Sequence, residues 1–137
     1  MAKKTEPLDV NVGEVVDYLR LNGGFAPALR AVVERKLAIA AARKAGLKVS
    51  DKELQAVADN WRITTGLHRA EDTTEWLQNN GLTLEALELY LEGNFLISKF
   101  KDKLAAKADK ASFVGSVEIQ ETLRDMIFAD WLVKALE

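Results

Sequence analysis

The apolar residues of the chain fall into runs of helical spacing separated by short polar joints. Leu29, Val33, Leu37 and Ala40 recur every three or four positions, with Val32 and Ile39 widening the face. They predict a helix beginning near Phe25 and ending at Gly46, with Pro27 in its first turn, where a missing N–H is no loss. Its run LAIAAARKAG is rich in small residues, which lets a neighbouring helix pack closely. Leu54, Val57, Ala58 and Trp61 place a second stripe on a helix over 50–65, and Trp76 and Leu77 mark a short helix before Asn79-Asn80-Gly81. Leu84, Leu87, Leu89, Tyr90, Leu91, Phe95, Leu96, Ile97, Phe100 and Leu104 predict a long helix over 84–107. They cover much of its circumference between 84 and 97, so this helix is expected to meet structure on more than one side. Leu123, Ile127, Phe128, Trp131, Leu132 and Leu136 predict a last helix over 117–136.

The joints carry the punctuation that such helices need. Asn11 with Glu14, Ser50 with Glu53, and Asp72 with Glu75 each have the spacing of a capping box. The first of these starts a helix over 12–21, and Thr83 caps the long helix. Asn22-Gly23-Gly24, Gly46 and Gly66 supply stops. The stretch LDVNV over 8–12 alternates like a short extended segment, but no second run offers it a ladder partner. The expected class is therefore all-α: a single compact domain of about six helices over 1–137, its terminal helix packing back on the core.

Composition narrows the function classes. Hydrophobic residues make up 48% of the chain and charged residues 29%, the ordinary globular range rather than that of a disordered chain. A net charge of -2 argues against binding nucleic acid through bulk basicity. The lack of cysteine removes disulfides, thiolate metal sites and cysteine nucleophiles. The start, MAKKTEPLDVNVGEVV, has no apolar run of signal-peptide length, and no window reaches the roughly 18 apolar residues of a membrane span. The expectation is a soluble, cytoplasmic protein.

Little in the chain points to catalysis. His68, the single histidine, sits in a polar connection without metal-site spacing and reads as a surface histidine. Ser50 and Ser116 read as caps rather than nucleophiles, and GFAPALR has too few glycines for a phosphate-binding loop. Glu71 and Asp72 sit together, and Glu85, Glu88 and Glu92 recur as a solvated helix face. Lys99, Lys103 and Lys107 share a face, with Lys101 and Lys110 nearby; they read as helix-end charge or as a site for an anionic partner. Trp61, Trp76 and Trp131 each lie on an apolar stripe, as core or as the lining of a groove for another apolar chain. No catalytic residue, metal ligand or cofactor site is expected.

Two segments carry a family resemblance. VVERKLAIAAARKAGLKVSDKELQAVAD and WLQNNGLTLEALELYLEGNFLISKFKDKL together resemble the helical chaperone domain of the SurA-like, parvulin-associated proteins. The family features are the Ala45-Gly46 stop, the restart from Lys48 to Leu54, the Gly81 to Thr83 turn and the apolar-basic Leu96 to Lys99. The likeness covers about 29–104. IQETLRDMIFADWLVKAL also looks like the family's terminal helix, and the nearest flavour is a parvulin-related family of bacterial peptide-maturation systems. In such proteins a prolyl-isomerase domain usually lies between the long helix and the terminal helix. Here only the short connection 108–116 occupies that place, so the resemblance implies the chaperone part without the isomerase.

The resulting expectation is a cytoplasmic, ATP-independent holdase that binds unfolded or extended apolar polypeptide without isomerase activity. The alternative is a specific adaptor for one precursor peptide or modifying enzyme; a third reading is an enzyme accessory or nucleic-acid binder using the lysine face. The peptide site is expected where the long helix meets its neighbours, lined by Trp61, Leu67, Trp76, Leu91 and Phe95. No nucleic acid and no membrane is expected as partner. The chain is expected as a monomer, or as a swapped dimer if 108–116 is too short for the last helix to reach its own docking face.

Overall fold

A computed structural model describes the backbone of residues 9–107 and 117–137, and the side chains of 9–107 and 122–137. It contains six helices: α1 (Val12–Asn22), α2 (Phe25–Lys44), α3 (Asp51–Thr65), α4 (Ala70–Asn79), α5 (Leu84–Lys107) and α6 (Val117–Leu136). No strand occurs among the described residues. Residues 9–11 of the alternating run lead directly into α1. The chain divides into two units, Met1–Glu34 and Arg35–Glu137.

In the first unit, α1 opens with the expected capping box. The Glu14 N–H donates to Asn11 Oδ1 (2.9 Å) and the Asn11 N–H to Glu14 Oε1 (3.0 Å). Asn22 accepts from the Gly24 N–H (2.8 Å), and the Arg20 guanidinium lies 4.8 Å from the Phe25 ring centroid. No residue of 9–34 is buried. Leu29, Val32 and Val33, expected on the core-facing stripe of α2, are exposed.

The second unit holds the core, and α2 enters it through small residues. Ala38 and Ala42, fully buried, pack with Leu96 and Phe100 of α5. Side-chain size decides this: the alanines of the small-residue run leave room for the large side chains of α5, as that run predicts, and Ile39 packs beside them, whereas Leu29, Val32 and Val33 of the expected stripe stay outside the core. Opposite them Gly93 is buried, and a Cβ there would stand 2.6 Å from Arg35 Nη2 and 2.8 Å from Ile39 Cδ1. A second cluster joins Leu77 of α4 to Leu87 and Leu91 of α5, with Leu54, Val57, Ala58 and Trp61 of α3 packed against it. The long helix thus serves both clusters.

Three helices end on the same device. In α2 the Gly46 N–H bonds the Arg43 carbonyl (2.9 Å) and the Leu47 N–H the Ala42 carbonyl (3.0 Å). The same pair of bonds closes α3 at Gly66-Leu67 and α4 at Gly81-Leu82. These are Schellman motifs, which need a left-handed residue, often followed by an apolar one; all three glycines have φ between 66° and 83°. The recurring Gly-Leu pair therefore sets the three sharp joints that fold α2 to α5 against one another.

The restart at Ser50 is the expected capping box, with Glu53 accepting from the Ser50 N–H and Ser50 Oγ from the Glu53 N–H. The start of α4 differs from expectation. Its N-cap is Arg69, not Asp72, and Arg69 makes no side-chain cap bond. Asp72 lies inside the first turn and accepts two bonds from the Arg69 guanidinium, at 2.9 and 3.1 Å. Its carboxylate, near the positive helix end, reaches backward to Arg69 instead of opening a helix with Glu75. Thr83 caps α5 as expected, its Oγ1 accepting from the Ala86 N–H (3.1 Å).

The terminal helix packs on α5 of its own chain. Trp131 meets Phe100 edge-on at 4.9 Å and stacks on Phe128 at 6.0 Å. Lys101 pairs with Asp125 and Arg124 with Asp102. The connection 108–116 lies outside the described residues.

Candidate functional site

The second cluster opens to the surface between α3, α4 and α5. Trp61 and Trp76 stand at the same place in their helices, five residues before Gly66 and Gly81. The two joints bring their rings together edge-on, with centroids 5.5 Å apart and planes at 72°. Local bonds tie down the backbone beneath them. The Trp61 carbonyl accepts from Thr64 Oγ1 (3.1 Å) and Thr65 Oγ1 (2.7 Å), and the Trp76 carbonyl from Asn80 Nδ2 (2.8 Å). Leu82, Ala86, Leu87 and Tyr90 complete a largely apolar groove of about 500 Å³ that also borders Thr65. Trp76 is 36% exposed and Tyr90 50% exposed, so the rings line the groove rather than close it.

The five residues expected to form the site take different places. Trp61 and Trp76 come together in this groove. Leu91 is buried in the cluster beneath it and borders a smaller cleft of about 230 Å³ between α3 and α5. Leu67 is half-buried in the α3–α4 joint, its carbonyl accepting from Thr73 Oγ1 (3.4 Å). Phe95 is half-buried farther along α5, with the Lys99 ammonium 5.3 Å from its ring centroid. Leu67 and Phe95 do not line the groove. Tyr90 and Leu82 were not expected there. The Gly81-Leu82 pair was the available signal for Leu82, since the residue after a Schellman glycine turns back toward its own helix.

A second, open groove of about 540 Å³ runs along the other side of Tyr90, between α2 and α5. Arg35, Lys36 and Arg43 line it together with Ile39, Ala40, Ala86, Leu89, Tyr90 and Gly93. Arg35 donates to Asn94 Oδ1 and to the Tyr90 carbonyl (2.6 Å), and lies over the Tyr90 ring at 4.7 Å. Arg43 stands 3.7 Å from Glu92.

Of the lysines on and beside that face of α5, Lys99 and Lys101 are engaged within the fold, and Lys110 lies outside the described residues. Lys99 donates to the Lys48 carbonyl (2.7 Å) and to Glu53 (3.0 Å). Lys101 pairs with Asp125 and sits 4.9 Å over the Phe128 ring. Glu53 titrates below the ordinary carboxylate value because the Ser50 N–H and then Lys99 bond its ionised form. Asp72 is lowered chiefly by the Arg69 hydrogen bonds. Glu85 and Glu88 are exposed, as is His68. Among the described residues no group of three or more His, Asp or Glu side chains could hold a metal ion, and no helix is long and apolar enough to cross a membrane. No protein-family model matches the chain, and no curated protein or solved structure matches it at a significant level, so the likeness to SurA-like proteins rests on the segments quoted above.

Proposed function

We propose that the chain is a peptide-binding, holdase-type domain that takes extended apolar-aromatic polypeptide into the Trp61–Trp76–Tyr90 groove without ATP and without catalysing isomerisation. The observation that carries this reading is the open aromatic groove itself. Its volume of about 500 Å³ falls within the ~300–1,000 Å³ usual for ligand sites. Its lining offers broad apolar contact with few polar groups, which suits non-directional burial at about 25 cal/mol per Å² rather than recognition of one polar ligand. The SurA-like segments point to the same activity. The adaptor reading draws on a different feature: this is one bounded groove beside a basic one, a geometry that suits a defined motif as well as a range of clients. A peptide array separates the two. Binding to many unrelated aromatic-rich peptides, with suppression of client aggregation at near-stoichiometric ratio, supports the holdase. Binding to a single motif supports the adaptor, and no binding to any peptide removes both.

A further inference from the structure

The apolar and basic grooves share Ala86 and Tyr90 as a common wall, so the two grooves lie side by side. No acidic side chain lines the basic groove. The Arg35 guanidinium is held by two neutral acceptors, Asn94 Oδ1 and the Tyr90 carbonyl, which fix its position without cancelling its charge. Lys36 is exposed and enters no ion pair among the described residues. Arg43 meets a carboxylate only at 3.7 Å, from Glu92, which lies outside the lining. On a chain of net charge -2, three cations along one wall are a local excess.

Resting on the peptide-binding reading above, we infer that the paired grooves select extended segments in which a large aromatic or aliphatic residue is flanked by Asp or Glu side chains. The apolar side chain enters between Trp61, Trp76 and Tyr90. A carboxylate a few residues along, at about 3.3 Å per residue of extended chain, faces Arg35, Lys36 and Arg43. Arg35 is already ordered by its bonds to α5, so less side-chain freedom is lost on binding. Such charge matching contributes selectivity and association rate more than raw affinity.

The test uses fluorescent peptides with both ends capped, so that no terminal carboxylate contributes. One carries Trp or Phe flanked by two Glu residues, and its counterparts replace both Glu with Gln or with Lys. The full chain is titrated with each at low and moderate salt. The acidic peptide is expected to bind about 3- to 10-fold more tightly than the Gln peptide, with the difference shrinking as salt rises. Lys36→Glu is expected to remove that difference by weakening the Glu peptide several-fold more than the Gln peptide; Trp76→Ala is expected to weaken both peptides to a similar degree. Equal affinity for the Glu and Gln peptides, or tighter binding of the Lys peptide, overturns the inference and leaves the groove reading standing. Recovery of binding only with an uncapped C-terminus, or tighter binding of a single-stranded oligonucleotide, also overturns it. Failure of every peptide to bind overturns both this inference and the proposed function.

Discussion

Lys99 Nζ lies 3.0 Å from Glu53 Oε1 and 2.7 Å from the Lys48 carbonyl. One ammonium on α5 therefore secures the restart of α3 after the Gly46 joint. Glu53 is shared between this contact and the capping box, and its carboxyl is held below its ordinary value of 4.5. A carboxylate with a lowered native pKa adds stability above its unfolded value, and that stability is lost as pH falls through the native one. Thermal unfolding followed from neutral pH to pH 3 should therefore show less acid sensitivity in Glu53→Gln than in the wild type. Some slope should persist, because Asp72 is lowered in the same sense. An unchanged slope would show that neither the Ser50 N–H bond nor the Lys99 contact to Glu53 persists in solution.

Gly93 tests how closely α2 and α5 approach. Alanine would gain about 1 kcal/mol of helix propensity. Its Cβ would meet Arg35 and Ile39 within 2.8 Å, and overpacking costs ~1–3 kcal/mol. Arg35 cannot move aside without losing its bonds to Tyr90 and Asn94. Chemical denaturation is expected to show a net loss of about 1 kcal/mol in Gly93→Ala. A stabilised variant would mean that both side chains yield freely.

The terminal helix should be required for the fold. It supplies Phe128 and Trp131 to the cluster of Leu96 and Phe100. Leu96→Ala, at a side chain only 1% exposed, should cost ~2–5 kcal/mol. Deleting α6 uncovers that cluster altogether, and the total stability of a typical domain is only ~5–15 kcal/mol. A chain ending at Lys107 is expected to lose cooperative melting and to aggregate. Cooperative melting near the full-length temperature would show that α6 is an appendage.

The two groove tryptophans should separate binding from stability. Trp76 is more exposed than Trp61, which packs on Leu77, Leu87 and Leu91. Trp76→Ala is expected to weaken peptide binding with a modest loss of stability. Trp61→Ala should approach the ~3–5 kcal/mol of a core aromatic truncation and lose binding as well. Denaturant midpoints and peptide titrations on the same samples decide this; equal stability losses would place both rings in the core.

Local chemistry, written within a few residues, determined where most helices begin and end. Asn11 and Ser50 bond backbone groups three positions away, and a left-handed glycine is required wherever Gly46, Gly66 and Gly81 stand. Such signals act through adjacent peptide groups, so they are legible without tertiary context. The start of α4 was misread because Asp72 has cap-like spacing, while its carboxylate was drawn instead to the Arg69 guanidinium beside it. The α3 stripe of Leu54, Val57, Ala58 and Trp61 packs as its periodicity predicts, but the buried face of α2 was decided only in three dimensions. The periodicity of α2 pointed to Leu29, Val32 and Val33, yet the core takes Ala38 and Ala42, because α5 needs small neighbours where Leu96 and Phe100 pack. The groove shows the same division. Trp61 and Trp76 could be singled out from their stripes, but the angle of the two Gly-Leu joints set their rings 5.5 Å apart, with Tyr90 beside them and Phe95 and Leu67 elsewhere. Periodicity specifies a face relative to its own helix axis; the partner that meets that face depends on the directions in which the joints send the axes, and those directions exist only once the helices have packed.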